Sequence, residues 1–235
     1  MTIPDLREDQ VAVVVVVVGA GGGLGHATAL KLASQGMRVV AVDRNELNLE
    51  GLPEGIVREV VDATDPDSVT PMIERIAHDV GTPDVLVNTL GAFEMGDAMT
   101  TTPELLRRMM DVNLGAALWL SQAVAPFMQR SGSGAIVHVT SRPGVEPAAG
   151  MAAYSVSKAS LVHLIRVLDL ELRPLGIRVN AVAPQLIATA KNRADLPADM
   201  LSHAVTPEAI AGVISFLVSD AAAPISGAIL PVYGV

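Results

Sequence analysis

Residues 11–25, VAVVVVVVGAGGGLG, limit this chain more than any other stretch. All eight residues from Val11 to Val18 are apolar, and seven are valine. An unbroken β-branched run closed by glycine predicts a strand buried on both faces, the mark of a central parallel strand. Glycines follow at 19, 21, 22, 23 and 25, and Leu24, Ala27, Leu30 and Leu32 then fall at helical spacing. Strand, glycine turn and helix together present backbone N–H groups and a helix N-terminus to a phosphate. The same pattern also makes an ordinary βα turn, since glycine is cheap wherever φ must be positive. The rest of the chain has to decide between the two.

Met37 to Val42 predicts a second strand, ending at Asp43 and Arg44. An acid at that place, 18 residues beyond Gly25, can accept hydrogen bonds from adenosine ribose hydroxyls. It would also repel a 2′-phosphate, which favours NAD. Arg44 could instead hold that phosphate, so NADP stays open. Gly55 to Val61 predicts a third strand, running into Asp62 and Ala63. Asp62 could accept from an adenine amino group, whereas Asp65 reads as the N-cap of an amphipathic helix. Pro83 to Leu90 predicts a fourth buried strand with Asn88 and Gly91 at its carboxyl end, where ligands sit in open α/β sheets.

A helix is expected over Thr102 to Val112, ending near Asn113, and a second over Leu114 to Met128, with Pro126 as a kink or stop. Gly134 to Thr140 predicts the fifth strand and leads into Ser141 and Arg142. Arg142 reads equally as a ligand for an acidic substrate group or as a solvated turn arginine. Tyr154 to Leu175 predicts one long helix closed by Gly176. Ile177 to Ala183 is a sixth strand stopped by Pro184, Pro207 to Ser219 a helix, and Ala228 to Val232 a last strand. This alternation predicts an α/β fold, a doubly wound, seven-stranded parallel sheet with helices on both faces. At 235 residues the expectation is one domain over 1–235 with its substrate site inside it.

Composition removes several functions. A net charge of −9 argues against nucleic acid, because there is no basic excess to release counterions. With no cysteine there is no disulfide, thiolate nucleophile or Cys-ligated zinc. The histidines at 26, 78, 138, 163 and 203 lack ligand spacing, so no metal is expected. The valine run falls short of the roughly 20 apolar residues that span a bilayer, and MTIPDLREDQ has no leader pattern. The expectation is a cytoplasmic protein with a small-molecule partner, no membrane and no nucleic acid.

The chemistry points to Tyr154 and Lys158, four residues apart on one helix face. A phenol ionises near pH 10, and a nearby ammonium is expected to lower that. Ser141 closes the preceding strand and could polarise a substrate carbonyl. Each feature alone is ordinary; with the glycine turn and the strand-end acid they form a set.

On these residues the chain resembles the short-chain dehydrogenase/reductase family, single-domain Rossmann oxidoreductases that use NAD(P). The resemblance spans roughly Asp9 to Gly234. The family's Thr-Gly-x-x-x-Gly-x-Gly falls on Val18-Gly19-Ala20-Gly21-Gly22-Gly23-Leu24-Gly25, and its Asn-Asn-Ala-Gly falls on Asn88-Thr89-Leu90-Gly91 at the ends only. It implies Tyr154 as general acid–base, Lys158 on the nicotinamide ribose, Ser141 on the substrate oxygen and Asn113 holding a relay water. It further implies cofactor contacts from Gly19, Gly21, Gly22, Gly23, Leu24, Gly25, Asp43, Arg44, Asp62, Ala63, Asn88, Gly91, Pro184, Gln185 and Thr189. A homotetramer or homodimer is implied too, with the apolar helices 114–128 and 154–175 between subunits.

The departures are Val18, which lacks the family's tethering hydroxyl and leaves open whether Thr89 replaces it, and Gln185 in place of a glycine. The stretch from Ala190 to Thr206 is short for a substrate lid, and Tyr233-Gly234-Val235 replaces Asp-Gly-Gly. The activity expected is hydride transfer between a nicotinamide cofactor and a secondary alcohol or ketone. The alternatives are an NADPH-dependent 3-oxoacyl thioester reductase and a non-catalytic dinucleotide-sensing or scaffolding protein.

Overall fold

The structure is a computed structural model, and it describes residues 12–234. Val11 and the N-terminal decapeptide, on which the leader reading rested, lie outside the described residues, as does Val235. Seven parallel strands form the sheet: β1 (Val14–Val18), β2 (Arg38–Asp43), β3 (Val57–Val60), β4 (Pro83–Asn88), β5 (Gly134–Val139), β6 (Ile177–Pro184) and β7 (Ile229–Val232). Their spatial order is β3-β2-β1-β4-β5-β6-β7. The order reverses between β1 and β4, and in open α/β sheets the ligand crevice opens at that switch point.

The valine strand is central, as its composition demands. Val16 pairs with Val40 on one side and Leu86 on the other, and all five residues of β1 are buried. Alternate valines serve opposite cores. Val14, Val16 and Val18 pack with helices α2 (Pro66–Asp79), α4 (Ala116–Ser131) and α6 (Ala152–Leu172). Val15 and Val17 pack with α1 (Gly23–Ala33) and α9 (Pro207–Val218). Side chains on a strand alternate faces, so one valine run fills both layers.

Three expectations are corrected. No helix ends at Asn113: α3 (Pro103–Met110) runs through a π-turn at Asp111–Gly115 directly into α4. A π-turn accommodates an extra residue without breaking the helix, and such turns recur at functional sites. Pro126 does not stop α4, which continues to Ser131 and closes at Gly132 in the left-handed conformation, φ 70°. The aperiodic stretch after Thr189 holds two short helices, α7 (Ala190–Asp195) and α8 (Ala198–Leu201). Strand ends shift by one to three residues; β2 gains Asp43, and β6 takes in Pro184, which was expected to stop it. Asp65 is the expected N-cap, its carboxylate accepting from Asp67 N. One further short helix, α5 (Arg142–Val145), follows Ser141.

Candidate active site

The glycine turn is built by backbone. Gly19 and Ala20 donate their N–H groups to Val42 O at 2.9 and 3.0 Å, bending the chain away from β1. Gly19 has φ 77°, a conformation open to glycine. A side chain on Gly25 would collide with the Gly19 carbonyl, so α1 can start this close to the strand only with glycine there. Gly22 caps α1 without a side-chain hydrogen bond, which leaves first-turn N–H groups free for an anion. That cradle fits a dinucleotide pyrophosphate.

The missing hydroxyl at Val18 is supplied from the opposite strand. Thr89 Oγ donates to Val18 O at 2.8 Å, tying the glycine turn to the end of β4. The open question about Thr89 is therefore answered by geometry.

Asp43 stands where the sequence puts it. Its Oδ1 accepts from Asn45 N and Asn48 Nδ2, both at 3.0 Å, and its Oδ2 from Gly21 N at 3.1 Å. A carboxylate has about four lone-pair sites, so about one remains for a ribose hydroxyl. Arg44 is exposed, and its charge acts on Asp62. Thr64 donates twice to Asp62 Oδ1, at 3.0 and 2.7 Å, and these bonds hold the carboxyl below its usual range. The second oxygen of Asp62 carries no such bond, and Ala63 beside it is buried.

At the carboxyl ends of β4, β5 and β6 lies a cavity of about 1030 Å³. It brings together Thr89, Gly91, Ser141, Tyr154, Lys158, Pro184, Gln185 and Thr189. Ser141 and Tyr154 are held in register by a clamp between α5 and α6. Thr140 Oγ donates to Lys158 O (3.1 Å) and Ser155 Oγ to Pro143 O (2.6 Å). A Cβ at Gly144 would stand 2.8 Å from Lys158 backbone, so glycine is what lets α5 lie on α6. The Ser141 hydroxyl is buried and makes no hydrogen bond of normal geometry. A buried hydroxyl without a partner is costly, and it fits a ligand oxygen.

Lys158 is 4% exposed, and its Nζ donates to Val139 O at 2.9 Å. Among the described residues its other two N–H donors have no partner of that kind, which suits a ribose diol. Burial pulls its pKa down to about 8. Burial also raises the Tyr154 phenol. This corrects the expected direction: desolvation of the phenolate outweighs any help from the ammonium.

Two of the expected site residues also tie chain segments together. Asn113, 1% exposed, spends its amide on other chain segments. Its Oδ1 accepts from Ala92 N (2.9 Å), and its Nδ2 donates to Ala92 O (3.0 Å) and Ser157 Oγ (2.9 Å). Asn88 also turns inward. Its Oδ1 accepts from Leu90 N at 3.0 Å, and its Nδ2 faces His138 Nδ1 at 3.4 Å. Ser121 Oγ faces His138 Nε2 at 3.1 Å and gives its own proton to Ala117 O. These roles leave His138 neutral with its proton on Nε2, and burial, followed by the Lys158 charge, pushes its pKa down to about 3.

Sequence reasoning missed His138, Ser157 and Phe93. Phe93 packs edge-on against the Tyr154 ring with centroids 4.9 Å apart. His138 sits in an apolar strand run, and that misplaced polarity was the available signal. Arg142 is neither free nor merely solvated: its Nε donates to Glu146 Oε2 and its Nη1 to Gln185 Oε1, both at 2.8 Å. Among the described residues no three acidic or histidine side chains cluster to hold a metal. No helix there is long and apolar enough to cross a membrane.

A uniform parallel sheet, a glycine turn at its switch point and a cavity at its strand ends lined by Ser141, Tyr154 and Lys158 are the features of a dinucleotide-binding α/β fold. The comparisons agree. The family model "short chain dehydrogenase" matches residues 13–199. The chain is 32% identical to the 3-oxoacyl-(acyl-carrier-protein) reductase FabG of Thermotoga maritima, over 94% of this chain and 96% of that one. It is 36% identical to a cis-4-hydroxycyclohexanecarboxylate dehydrogenase of Sinomonas cyclohexanicum, over 94% and 95%. The ligand-free aldohexose dehydrogenase of Thermoplasma acidophilum superposes with a TM-score of 0.85 at 28% identity, over 94% and 92%. The chain belongs to the short-chain dehydrogenase family. It is an NAD(P)-dependent oxidoreductase that transfers a hydride between the cofactor and a secondary alcohol or its ketone.

Proposed function

We propose that Ser141, Tyr154, Lys158 and Asn113 form the catalytic set and that NAD is the cofactor. The observation that carries this reading is the convergence of an unpartnered Ser141 hydroxyl, Tyr154 and a buried Lys158 on one cavity. When bound, the nicotinamide cofactor supplies or accepts the hydride. In reduction Tyr154 gives its phenolic proton to the substrate oxygen; in oxidation its phenolate takes the alcohol proton. Ser141 donates to that oxygen and polarises it. Lys158 would hold the ribose with its spare N–H donors, and its ammonium stabilises the phenolate as it forms.

Asn113 keeps the loop at Ala92 in place. Its Oδ1 and Lys158 Nζ both border the space beside Gly91, where a relay water would bridge them. Asn88 acts through Leu90, whose N–H it holds, rather than by touching the cofactor. The remaining acceptor site on Asp43 suits the ribose 2′-hydroxyl and repels a 2′-phosphate, with Gly19 to Gly25 on the pyrophosphate and Asp62 on the adenine. Thr189, Pro184 and Gln185 line the same cavity and would hold the nicotinamide. Apolar residues left exposed on α6, Val156 and Leu170, suit a homodimer or homotetramer in the cytoplasm.

Titration with NADH and NADPH, followed by nicotinamide fluorescence, tests the cofactor assignment. Tighter NADH binding is expected. A preference for NADPH would transfer the role to Arg44, and binding of neither would overturn the catalytic reading.

A further inference from the structure

The substrate class follows from how the cavity's charges are spent. Outside the catalytic set, the wall is mostly apolar, with Phe93, Met95, Met151, Leu186, Leu196 and Met200 facing it. Phe93, Met95 and Met200 are 53–60% exposed, so apolar surface lines the mouth as well as the depth. A mouth left this apolar gains by covering itself with apolar substrate.

Arg142 is the permanent cation in this wall besides Lys158, with the His203 imidazole also in the lining, and the Arg142 charge is already paired. Glu146 takes its Nε at 2.8 Å, and Gln185 takes Nη1 at 2.8 Å. The Tyr233 ring lies under the guanidinium, 5.0 Å from its centroid. The pair is about half exposed, 42% and 51%, so it adds little to stability. Its consequence is electrostatic: Glu146 cancels the Arg142 charge where an arriving ligand meets it. Asp199, also in the wall, adds a further negative charge. An anionic substrate reaching the remaining N–H groups of Arg142 would approach the carboxylate of Glu146, with that of Asp199 in the same wall.

Resting on the catalytic reading above, we propose that this site takes neutral ketones and secondary alcohols with a bulky apolar body, and that Glu146 sets this preference by silencing Arg142. One relative is named for a hydroxy acid, cis-4-hydroxycyclohexanecarboxylate. In this chain the cation that could receive such a carboxylate is already paired.

The test compares benzylacetone with its para-carboxy derivative, the same ketone with and without an anion. Steady-state kcat/KM is measured with saturating reduced cofactor for the parent chain, Glu146→Gln, and the double variant Glu146→Gln/Arg142→Gln. The parent should favour the neutral ketone by about tenfold or more, the size of one uncompensated charge contact. Glu146→Gln should raise kcat/KM for the carboxylated ketone about tenfold, through KM, and leave the neutral one within about twofold. The double variant should lose that gain. A parent that prefers the carboxylated ketone overturns the proposal, as does a Glu146→Gln change that moves both ketones equally. Binding of both ketones to the NADH-loaded chain is followed by nicotinamide fluorescence as well. A neutral preference in binding without turnover would sink the catalytic reading and keep this inference. Failure to bind the neutral ketone would sink the inference whatever the turnover.

Discussion

The two ends of this site are built on opposite principles. The glycine turn binds with backbone, and its bend is held within the fold: Gly19, Ala20 and Gly22 all place their N–H groups on carbonyls, and only the first-turn N–H groups of α1 stay open to an anion. The catalytic end binds with side chains, and its groups are left short of partners: Ser141 Oγ is buried without a partner, and Lys158 is buried with one acceptor. The first end contributes to stability even without ligand. The second holds polar groups out of water at a cost that only a ligand repays. The comparison explains why the turn survives the loss of a hydroxyl at Val18. A backbone scaffold needs the tether but not a particular residue to supply it, and Thr89 supplies it from across the switch point. A proton donor cannot be exchanged in this way.

The contrast breaks most decisively at Tyr154. Tyr154→Phe should lower kcat by roughly 10³-fold, within the range for loss of a general acid–base. NADH binding by fluorescence should stay within about twofold, since the turn is untouched. Parent-like turnover would reassign the acid. Ser141→Ala should cost roughly 10²-fold in kcat, comparable to one lost oxyanion donor. Its Tm should hold or rise, because the hydroxyl removed has no partner. A clear fall in Tm would mean that Ser141 is structural.

Lys158 sharpens the comparison through pH. Its pKa in the fold is about 8, below the usual 10.5. Below pH 8 the fold carries a buried ammonium. Between pH 8 and 10.5 the folded side chain is neutral while the unfolded chain still binds that proton, so stability from this group rises with pH. Lys158→Met should therefore raise Tm at pH 7 by roughly 2–4 °C, the shift that 1 kcal/mol gives a chain of this size. The gain should shrink as pH climbs to 10.5. A gain independent of pH would mean that packing, not charge, is responsible.

The smallest effect belongs to the turn. Thr89→Val should weaken NADH binding about tenfold or less, consistent with one hydrogen bond worth about 1 kcal/mol. Thr89→Ser should restore it, and so should Val18→Thr in the Thr89→Val background. Rescue by neither would show that the tether does not position the turn.

The sequence by itself determined the parallel sheet and its central strand; the strand order, and with it the switch point, came from the tertiary structure. A β-branched run of this length suits a strand buried on both faces of a parallel sheet, and the glycines that follow it mark the turn into the first helix. Tyr154, Lys158, Ser141 and Asp43 were legible for a related reason: helix periodicity and strand ends place side chains from local spacing alone. The π-turn at Asn113 was not legible, because one inserted residue leaves the apolar pattern nearly unchanged. Tertiary structure alone decided the pairings that join distant segments. Thr89 reaches Val18, His138 links Asn88 to Ser121, and Glu146 with Gln185 engages Arg142. It also decided the sign of the Tyr154 shift, since burial is a property of the whole packed fold and not of the four residues between a tyrosine and a lysine.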